Sequence, residues 1–286
     1  MKLKYDAVSF VMEKGKPHHK MRVLIALNKR NEDFQEFLKG FMESQNPDGG
    51  WSWLGLWPFN EPRPSSTYDT ADILDIILKA GVDKNSDTVK KAVDFLFNMQ
   101  RPDGGWSESP GISKAIKKEW IWYSTKYSIT WITASSITVI IEAGYANDER
   151  IKKALDFLKR MQNDEGGWPS HEENPQRTDM WTMEAIIGAL VKTGEPKGSP
   201  VIKKAIEAIL KYREKWKEPA ENPLGVFMEL GYDPQHPYVQ ECLNHLIANQ
   251  HEDGGWGYYN NWPSHPDQSS TWILYLRGLK VKTNSG

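Results

Sequence analysis

The sequence predicts an all-α protein, an α/α toroid in which about six helical hairpins close into a ring. A turn of the form Gln-x-x-x-Gly-Gly-Trp occurs four times, at residues 45–51, 100–106, 162–168 and 250–256. Helical patterns precede and follow each turn, and a chain of 286 residues is long enough for one large domain spanning residues 1–286. These observations predict tandem helical hairpins, and a closed ring of hairpins needs no capping units at its ends.

The stretch before each turn has the apolar spacing of an amphipathic helix. In Thr88–Gln100 the apolar residues Val89, Val93, Leu96 and Met99 recur every three or four positions. The glycine pair then ends the helix, because glycine adopts left-handed backbone conformations without steric cost. We expect the turn tryptophan to pack over the turn and the glutamine amide to bind exposed backbone groups.

A second helix follows each turn and is more apolar on all sides, which predicts a buried inner helix paired with an amphipathic outer one. The long gap between the third and fourth turns predicts a fifth hairpin without the turn motif, and the first 27 residues supply a sixth. The predicted inner helices are Thr67–Ala80, Ser128–Ala143, Thr178–Thr193 and Ser269–Leu279; the fifth pair is Val201–Lys217 and Pro223–Leu230, and the sixth is Tyr5–Lys14 and His18–Leu27.

Composition excludes several classes of protein. The net charge is −2, with 36 basic and 38 acidic residues, so nothing favours a nucleic-acid partner. A single cysteine, Cys242, excludes an internal disulfide and a cysteine-based zinc cluster. The first residues lack the apolar core of a secretion signal, and no uncharged apolar run approaches the ~18 residues of a membrane span. We therefore expect a cytoplasmic protein without a transmembrane segment, a cofactor or a bound metal.

The helix ending in Phe-Leu-x-x-x-Gln before the turn carries a family resemblance. Phe95–Gln100 reads Phe-Leu-Phe-Asn-Met-Gln, and Phe157–Gln162 reads Phe-Leu-Lys-Arg-Met-Gln. With the Gln-x-x-x-Gly-x-Trp turn, this pattern resembles the repeat of the squalene-hopene and oxidosqualene cyclases and of the protein prenyltransferase β-subunits. The resemblance covers residues 31–280 and implies the α/α toroid of the terpenoid cyclase and prenyltransferase superfamily. Those cyclases use two such domains, whereas this chain has room for one.

The resemblance also implies an acid site at the start of the first inner helix. Ser66–Ala71 is similar to the Asp-x-Asp-Asp-Thr-Ala motif of the cyclases, with Asp69, Thr70 and Ala71 matching. Tyr68 replaces the family's proton-donating aspartate. Asp69 is thus the candidate catalytic acid, and it needs strong desolvation to stay protonated at neutral pH.

Asp179, before the third inner helix, is a second catalytic candidate. The structural alternative is that each of these aspartates caps its helix, because aspartate is strongly preferred at helix N-caps. Asp267, before the last inner helix, carries the same capping alternative.

Aromatic residues near the starts of the inner helices are the second functional signal. A ring face stabilises a nearby cation, by roughly 0.5–2 kcal/mol each in a dry site. Packing in the core is the competing interpretation, and it is the preferred one for the four turn tryptophans. The candidate substrate-binding residues are Tyr68, Trp131, Trp181, Tyr258, Trp262 and Trp272.

Three functions fit these residues, and whether the chain is an enzyme stays open. The leading hypothesis is a cyclase-like or prenyl-binding protein that holds a small apolar isoprenoid ligand in an aromatic cavity. The second is a carbohydrate-active α/α-barrel enzyme, a lyase or glycosidase, with a glycan ligand; its acid-base candidates are Asp69, Asp179, Glu119 and Glu172. The third is a non-catalytic binding module whose acid motif has degenerated.

Cys242 and His245 share one face of a predicted outer helix and could pair as metal ligands. A buried cysteine beside a surface histidine is the favoured interpretation, since the amphipathic helix exposes one of its sides.

Overall fold

Helices dominate the part of the chain that the computed structural model describes, residues 2–52, 64–115, 125–172 and 180–281. These residues form thirteen α-helices and two short 3-10 segments, and none of them lies in a β-strand. The helices are α1 Ala7–Lys14, α2 Pro17–Ala26, α3 Glu32–Glu43, α4 Thr67–Lys79, α5 Asp87–Met99, α6 Pro110–Ala115, α7 Thr130–Glu142, α8 Glu149–Arg160, α9 Met180–Lys192, α10 Pro200–Lys211, α11 Leu224–Glu229, α12 Pro237–Ala248 and α13 Pro266–Gly278.

Two kinds of helix alternate in the middle of the chain, as predicted. Helix α7 buries nine of its thirteen residues, whereas α8 buries four of its twelve, spaced as one helical face. With α6 set aside, the described helices form six consecutive pairs. The all-α prediction is confirmed, and most predicted helix ends lie within a few residues of the observed ones. Helix α6, which follows the second turn, has no counterpart in the predicted pattern.

The glutamine of each turn joins that turn to the next amphipathic helix. In the second turn, Gln100 Nε2 donates to the carbonyl oxygens of Gly104 at 2.9 Å and Arg150 at 2.8 Å. The motif is therefore a main-chain clamp, which explains why it recurs while the surrounding side chains change. The other three glutamine amides donate in the same way to Gly49 and Thr88, to Gly166 and Val201, and to Gly254 and Tyr5.

Each turn requires a glycine because the backbone of a neighbouring segment approaches it closely, and the tryptophan that follows is buried. Gly104 has a φ of 95°, and a Cβ there would lie 2.4 Å from the carbonyl oxygen of Lys153 in α8. Trp106 is fully buried, and its indole N–H donates to Leu96 O at 2.6 Å. The remaining turn tryptophans make the same bond to the carbonyl oxygen ten residues earlier, at Phe41, Leu158 and Leu246.

The fifth pair ends its amphipathic helix with different residues. Trp216 is fully buried, and its indole N–H donates to Ile209 O at 3.3 Å. Asn222 has the role that the glutamine has in the other turns, because its amide donates to Trp216 O at 3.1 Å and to Cys242 O of α12 at 3.0 Å. The predicted fifth pair is thus present as α10 and α11.

Two compact units divide the chain. Unit 1 comprises Met1–Lys39 and Ile209–Gly286, and in it α13 packs against α1, α2 and α11. Gln250 Oε1 ties the two segments of this unit together by accepting hydrogen bonds from the backbone N–H groups of Lys4 and Tyr5, both at 3.0 Å.

Unit 2 comprises Gly40–Ala208, and in it α4 and α9 both pack against α7. The amphipathic helices α5 and α8 pack against α4 and α7, respectively. No helix in the described part of either unit is both long enough and apolar enough to cross a bilayer.

Candidate functional site

Three aromatic rings meet at the N-terminal ends of α4, α7 and α9 in unit 2. Tyr68, Trp131 and Trp181 are each the second residue of their helix. The Tyr68 and Trp131 ring centroids lie 4.8 Å apart with edge-to-face geometry, and those of Trp131 and Trp181 lie 4.9 Å apart. Tyr68 and Trp181 complete the triangle at 6.2 Å. These distances are typical of favourable ring pairs, so the three residues form one aromatic cluster.

Exposure differs sharply within this aromatic cluster. Trp131 is 5 % exposed, whereas Trp181 is 49 % exposed. The packing interpretation therefore fits Trp131. The half-exposed indole of Trp181, backed by the rings of Tyr68 and Trp131, is the apolar surface that the cluster presents to solvent, and we take it as the candidate binding surface.

Asp69 follows Tyr68 in the first turn of α4 and is 6 % exposed. It does not cap its helix. Ser66 is the N-cap residue, and its Oγ accepts the hydrogen bond from Asp69 N–H at 3.1 Å. The capping alternative for Asp69 is therefore wrong, because the serine three residues earlier already supplies the acceptor. A role for Asp69 as an acid stays a prediction.

A buried carboxylate that sequence reasoning missed braces the start of α4. Glu108 follows the second turn, is 1 % exposed and accepts hydrogen bonds from Ser66 Oγ at 3.1 Å and Ser109 N–H at 3.3 Å. It also accepts from the backbone N–H groups of Thr67 at 3.2 Å and Tyr68 at 2.9 Å. Two of the N–H groups that a helix start leaves without intrahelical partners are thereby satisfied.

The environment of Glu108 makes it a brace for α4. Burial raises the pKa of Glu108, and the hydrogen bonds from Tyr68, Ser66 and their neighbours oppose that rise. Four donors already occupy its two oxygens, so it fixes the backbone beneath Tyr68 and Asp69. Its position two residues after the turn tryptophan is the one signal in the sequence that could have found it.

Two candidate catalytic residues fall outside the described part of the chain. Asp179, the second catalytic candidate, is one of them. Of the carbohydrate acid-base candidates, Glu172 is described and is exposed to solvent. Glu119, another of those candidates, lies outside the described ranges.

A different group of side chains gathers at the N-terminal ends of α2 and α13 in unit 1. Asp267, the second residue of α13, accepts a hydrogen bond from Arg22 Nη1 at 2.8 Å and one from Tyr258 Oη at 3.3 Å. His19 Nε2 lies 3.7 Å from the same carboxylate. Asp267 does not cap α13, because His265 Nδ1 accepts the bond from Asp267 N–H at 3.3 Å. The ionisable cluster, as we call it, consists of Arg22, His18, His19, Tyr258, His265 and Asp267.

Burial and proximity fix the charges of the ionisable cluster. Burial is the largest single influence on the pKa of Asp267 and acts to raise it, but the charge and the hydrogen bond of Arg22, together with His19 and His18, lower this pKa overall, so the carboxylate is ionised. Burial lowers the pKa of His18 and of His19 from 6.5 to about 3, so both rings are neutral. Lys16 N–H donates to His19 Nδ1 at 3.2 Å, which places the ring hydrogen of His19 on Nε2.

The remaining predicted ligand residues contact different rings. The ring centroids of Tyr258 and His265 lie 5.1 Å apart. Those of Trp262 and Tyr259 lie 5.3 Å apart, and those of Trp272 and Tyr275 lie 5.8 Å apart. Trp262 is 53 % exposed, while Trp272 is 3 % exposed. Sequence reasoning groups these residues because they lie near one helix start, and the fold gives each a different environment.

Cys242 and His245 have the arrangement that the sequence favours. Cys242 is fully buried, and the His245 side chain is 36 % exposed. Burial raises the pKa of the Cys242 thiol, so the thiolate that a metal ligand requires is disfavoured. The pair is therefore a buried small residue beside a surface histidine.

Comparison with known families agrees with the turn and helix pattern. The profile of the squalene-hopene cyclase C-terminal domain matches residues 19–179, which is more than half of the chain. The chain belongs to the squalene-hopene cyclase C-terminal domain family. The part that matches this cyclase domain contains the first three turns and two rings of the aromatic cluster, Tyr68 and Trp131.

Curated relatives in the squalene-hopene cyclase family are much longer proteins. The lanosterol synthase of Saccharomyces cerevisiae is 34 % identical over 134 residues, 46 % of this chain and 16 % of that protein. The squalene-hopene cyclase of Bradyrhizobium diazoefficiens is 29 % identical over 126 residues, 44 % of this chain and 18 % of that protein. The matched part of the chain thus spans less than a fifth of the length of these two relatives.

Solved structures share the fold over nearly the whole chain. The type II terpene cyclase MstE from Scytonema superposes with a TM-score of 0.67 at 15 % identity, over 95 % of this chain and 96 % of that one. An α-amylase from Clostridium perfringens superposes with a TM-score of 0.61 at 14 % identity, over 91 % of this chain and 84 % of that one. The chain therefore has the α/α-toroid fold of the terpene cyclases. Because an amylase shares it, the fold by itself does not choose a substrate.

Proposed function

We propose that this member of the squalene-hopene cyclase family binds an apolar isoprenoid against the aromatic cluster of Tyr68, Trp131 and Trp181. The observation that carries the proposal is the convergence of three rings at matching helix positions, with Trp181 49 % exposed. Membership of a cyclase family supports it. A variant of MstE, which shares the fold, has been solved in complex with geranylgeranyl dihydroxybenzoate, its substrate.

The chemistry of isoprenoids suits such a cluster. Their branched alkenes gain from burial against aromatic surface, at about 25 cal/mol for each Å² removed from water. When an alkene is protonated, the cation that forms is attracted to the ring faces, by roughly 0.5–2 kcal/mol for each ring. The same cluster thus serves binding alone or binding followed by cyclisation.

Asp69 is the proposed proton donor in the catalytic form of this hypothesis. It adjoins Tyr68 in sequence, and it is 6 % exposed. Burial favours the protonated acid that alkene protonation requires, whereas the helix N-terminus favours the carboxylate. A cyclase results if burial is the larger effect, and a non-catalytic prenyl-binding protein results if it is not.

Product analysis with polyprenyl substrates tests the role of Asp69. The chain is incubated with squalene, oxidosqualene and a geranylgeranylated hydroxybenzoate, and cyclised products are measured by mass spectrometry. We expect turnover that falls at least about 100-fold in Asp69→Asn, the scale of lost general acid catalysis. Asp72→Asn, in the same helix, is the matched control and should retain turnover. Equal turnover in Asp69→Asn and the unaltered chain would exclude Asp69 as the acid.

Binding measurements test the aromatic cluster separately. We expect Trp181→Ala to weaken isoprenoid binding about tenfold and Trp181→Phe to restore most of it, because a ring face remains. Binding that depends on Trp181 without any turnover would identify a non-catalytic prenyl-binding protein. Binding to glycans with none to isoprenoids would overturn the proposal in favour of the carbohydrate alternative.

A further inference from the structure

The carboxylate of Asp267 is the centre of the ionisable cluster, and each of its two oxygens accepts one hydrogen bond. Oδ1 accepts from Arg22 Nη1 at 2.8 Å and lies 3.7 Å from His19 Nε2. Oδ2 accepts from Tyr258 Oη at 3.3 Å. An ionised carboxylate has about four lone-pair sites, two on each oxygen. Oδ2 therefore has the capacity to accept one more hydrogen bond.

Solvent reaches this carboxylate more easily than it reaches the partners that hold it. The Asp267 side chain is 40 % exposed, against 15 % for Arg22 and 7 % for His19. A ligand arriving from solvent consequently meets the carboxylate first. An anionic group would be repelled by Asp267, and the attraction of a cationic group is weakened because Arg22, 2.8 Å from the carboxylate, already balances its charge. A neutral hydrogen-bond donor meets neither penalty.

The surroundings of Asp267 are polar and ordered by further contacts. The Tyr258 ring centroid lies 5.1 Å from that of the exposed His265 ring, and both residues precede Asp267 in the chain. The His18 ring lies 3.9 Å from His19, and its Nδ1 atom is buried with no hydrogen-bond partner among the described residues. Buried polar atoms in folded proteins almost always have a partner, which makes this unpartnered nitrogen of His18 unusual.

We infer that the ionisable cluster of unit 1 binds a hydroxyl group of a neutral ligand, whose O–H donates a hydrogen bond to Asp267 Oδ2. The Arg22 pair holds the acceptor in one orientation, and a charged acceptor makes a hydrogen bond about twice as strong as a neutral one. This inference rests on the proposed function only for the identity of the ligand's apolar chain. With that choice, the ligand class is an isoprenoid alcohol.

The lowered pKa of Asp267 supports this inference, although the geometry carries it. Burial opposes ionisation, but Arg22, by its charge and its hydrogen bond, is the main group that keeps the carboxylate charged. The phenol of Tyr258 stays protonated, because burial and the nearby Asp267 raise its pKa. Tyr258 therefore acts as a donor to Asp267 and leaves the acceptor role to the carboxylate.

A set of matched ligands tests the inference by isothermal titration calorimetry. Each apolar chain is measured as an alcohol, a methyl ether and a phosphate: farnesol, farnesyl methyl ether and farnesyl phosphate, then dodecanol, dodecyl methyl ether and dodecyl phosphate. We expect the alcohol to bind at least about tenfold more tightly than the ether, which lacks the donor, and more tightly than the phosphate. Equal binding of alcohol and ether, preference for the phosphate, or no binding of any of them overturns the inference.

Variants assign the preference to Asp267. In Asp267→Asn the alcohol-to-ether ratio should fall to about threefold or less, because a neutral amide oxygen is a weaker acceptor. Glu241→Gln, which removes the carboxylate of the Arg213–Glu241 pair elsewhere in unit 1, is the matched control and should leave the ratio unchanged. Tyr258→Phe keeps the Asp267–Arg22 pair and covers the case in which Asp267→Asn does not fold. It should retain or raise the ratio, and a ratio lost in Tyr258→Phe would make Tyr258 the binding group and contradict the inference.

The two alkyl series separate this inference from the proposed function. A preference for dodecanol and farnesol alike, lost in Asp267→Asn, supports the hydroxyl site even if no isoprenoid is cyclised. Loss of isoprenoid binding in Trp181→Ala with no alcohol preference in any ligand supports the proposed function and rejects the hydroxyl site.

Discussion

The second helical residue carries opposite chemistry in the two units. It is aromatic in α4, α7 and α9 of unit 2, as Tyr68, Trp131 and Trp181, whereas it is His18 in α2 and Asp267 in α13 of unit 1. The turns are held by bonds to main-chain atoms, and these bonds do not depend on the side chain that begins the next helix. The repeat therefore fixes where a side chain is presented and leaves its chemistry free to differ. This difference explains how one motif supports a ring cluster and an ionisable one.

The largest expected effect in this comparison comes from the buried ring. Trp131→Ala should destabilise the protein by about 3–5 kcal/mol, because it removes a 5 % exposed indole and leaves a cavity between two rings. The midpoint of urea unfolding measures the change. Trp131→Phe retains a ring and should destabilise the protein clearly less than Trp131→Ala. A loss below ~1 kcal/mol for Trp131→Ala would show that the cluster is not packed as described.

Removal of the brace beneath the aromatic cluster comes next. Glu108→Ala should lower the free energy of unfolding by about 3 kcal/mol, because it leaves buried donors at Ser66, Thr67 and Tyr68 without their acceptor. Chemical denaturation gives the free energy of unfolding. The exposed Glu172→Ala serves as control and should change it by no more than ~0.5 kcal/mol. Similar values for both variants would contradict the bracing role.

We expect low pH to destabilise unit 1 through His18 and His19, which are neutral in the folded protein. The pKa of His18 and of His19 is about 3 in the fold, against 6.5 ordinarily. Below pH 6.5 the unfolded chain binds protons that the folded chain does not bind. Stability is therefore complete above about pH 6.5 and declines as the pH falls towards about 3.

We expect the free energy of unfolding to fall by about 2 kcal/mol between about pH 6.5 and pH 5. This is less than the two pKa shifts together predict, because the partly exposed His18 side chain can rotate into contact with water. Urea unfolding at a series of pH values measures it. The double variant His18→Gln, His19→Gln should flatten the profile over this range. An unchanged slope in that variant would place the acid sensitivity elsewhere.

Breaking the ion pair of the ionisable cluster should cost somewhat less. Arg22→Met should destabilise the fold by about 1–2 kcal/mol, because Asp267 loses its cation but keeps partial contact with water. The exposed pair of Arg213 and Glu241 offers a matched control, and Arg213→Met should leave the urea midpoint nearly unchanged. If both variants shift the midpoint equally, the Arg22 pair is no more than a surface contact.

The exposed ring should matter least for stability. Trp181→Ala should change the free energy of unfolding by no more than ~0.5 kcal/mol, because the indole is 49 % exposed. Its effect belongs to ligand binding, in contrast to that of Trp131. Thermal unfolding without ligand measures this, and a loss comparable to that of Trp131→Ala would remove the distinction between the two rings.

Local patterns predict the helices, the turns and the positions of the aromatic cluster. The predicted helix Thr88–Gln100 is observed as Asp87–Met99, because periodicity and glycine signals lie within one segment. The difference between Trp131 and Trp181 is not predictable, since both hold the same helix position and only the neighbouring elements decide their exposure. The sequence indicates an aromatic rim without indicating which ring is open.

The ionisable cluster and the brace escape prediction for a different reason. Arg22 and Asp267 are 245 residues apart, so no local pattern connects them. Glu108 has no periodic signal, and most of its donors belong to a helix start that lies far earlier in the chain. Asp69 suits a helix cap by its residue type, but Ser66 occupies that position in the fold. Pairings set by tertiary structure cannot be found from one segment at a time.

The Gln250 bonds to the backbone of Lys4 and Tyr5 join segments that are synthesised far apart in time. The first two helices leave the ribosome while their packing partner α13 is still untranslated, and synthesis at typical rates delays that partner by roughly 10–50 s. During this interval the apolar faces that carry Val8, Val11 and Met21 remain hydrated and open to chaperones. Unit 2 joins helices that are close in sequence and should fold first on the nascent chain.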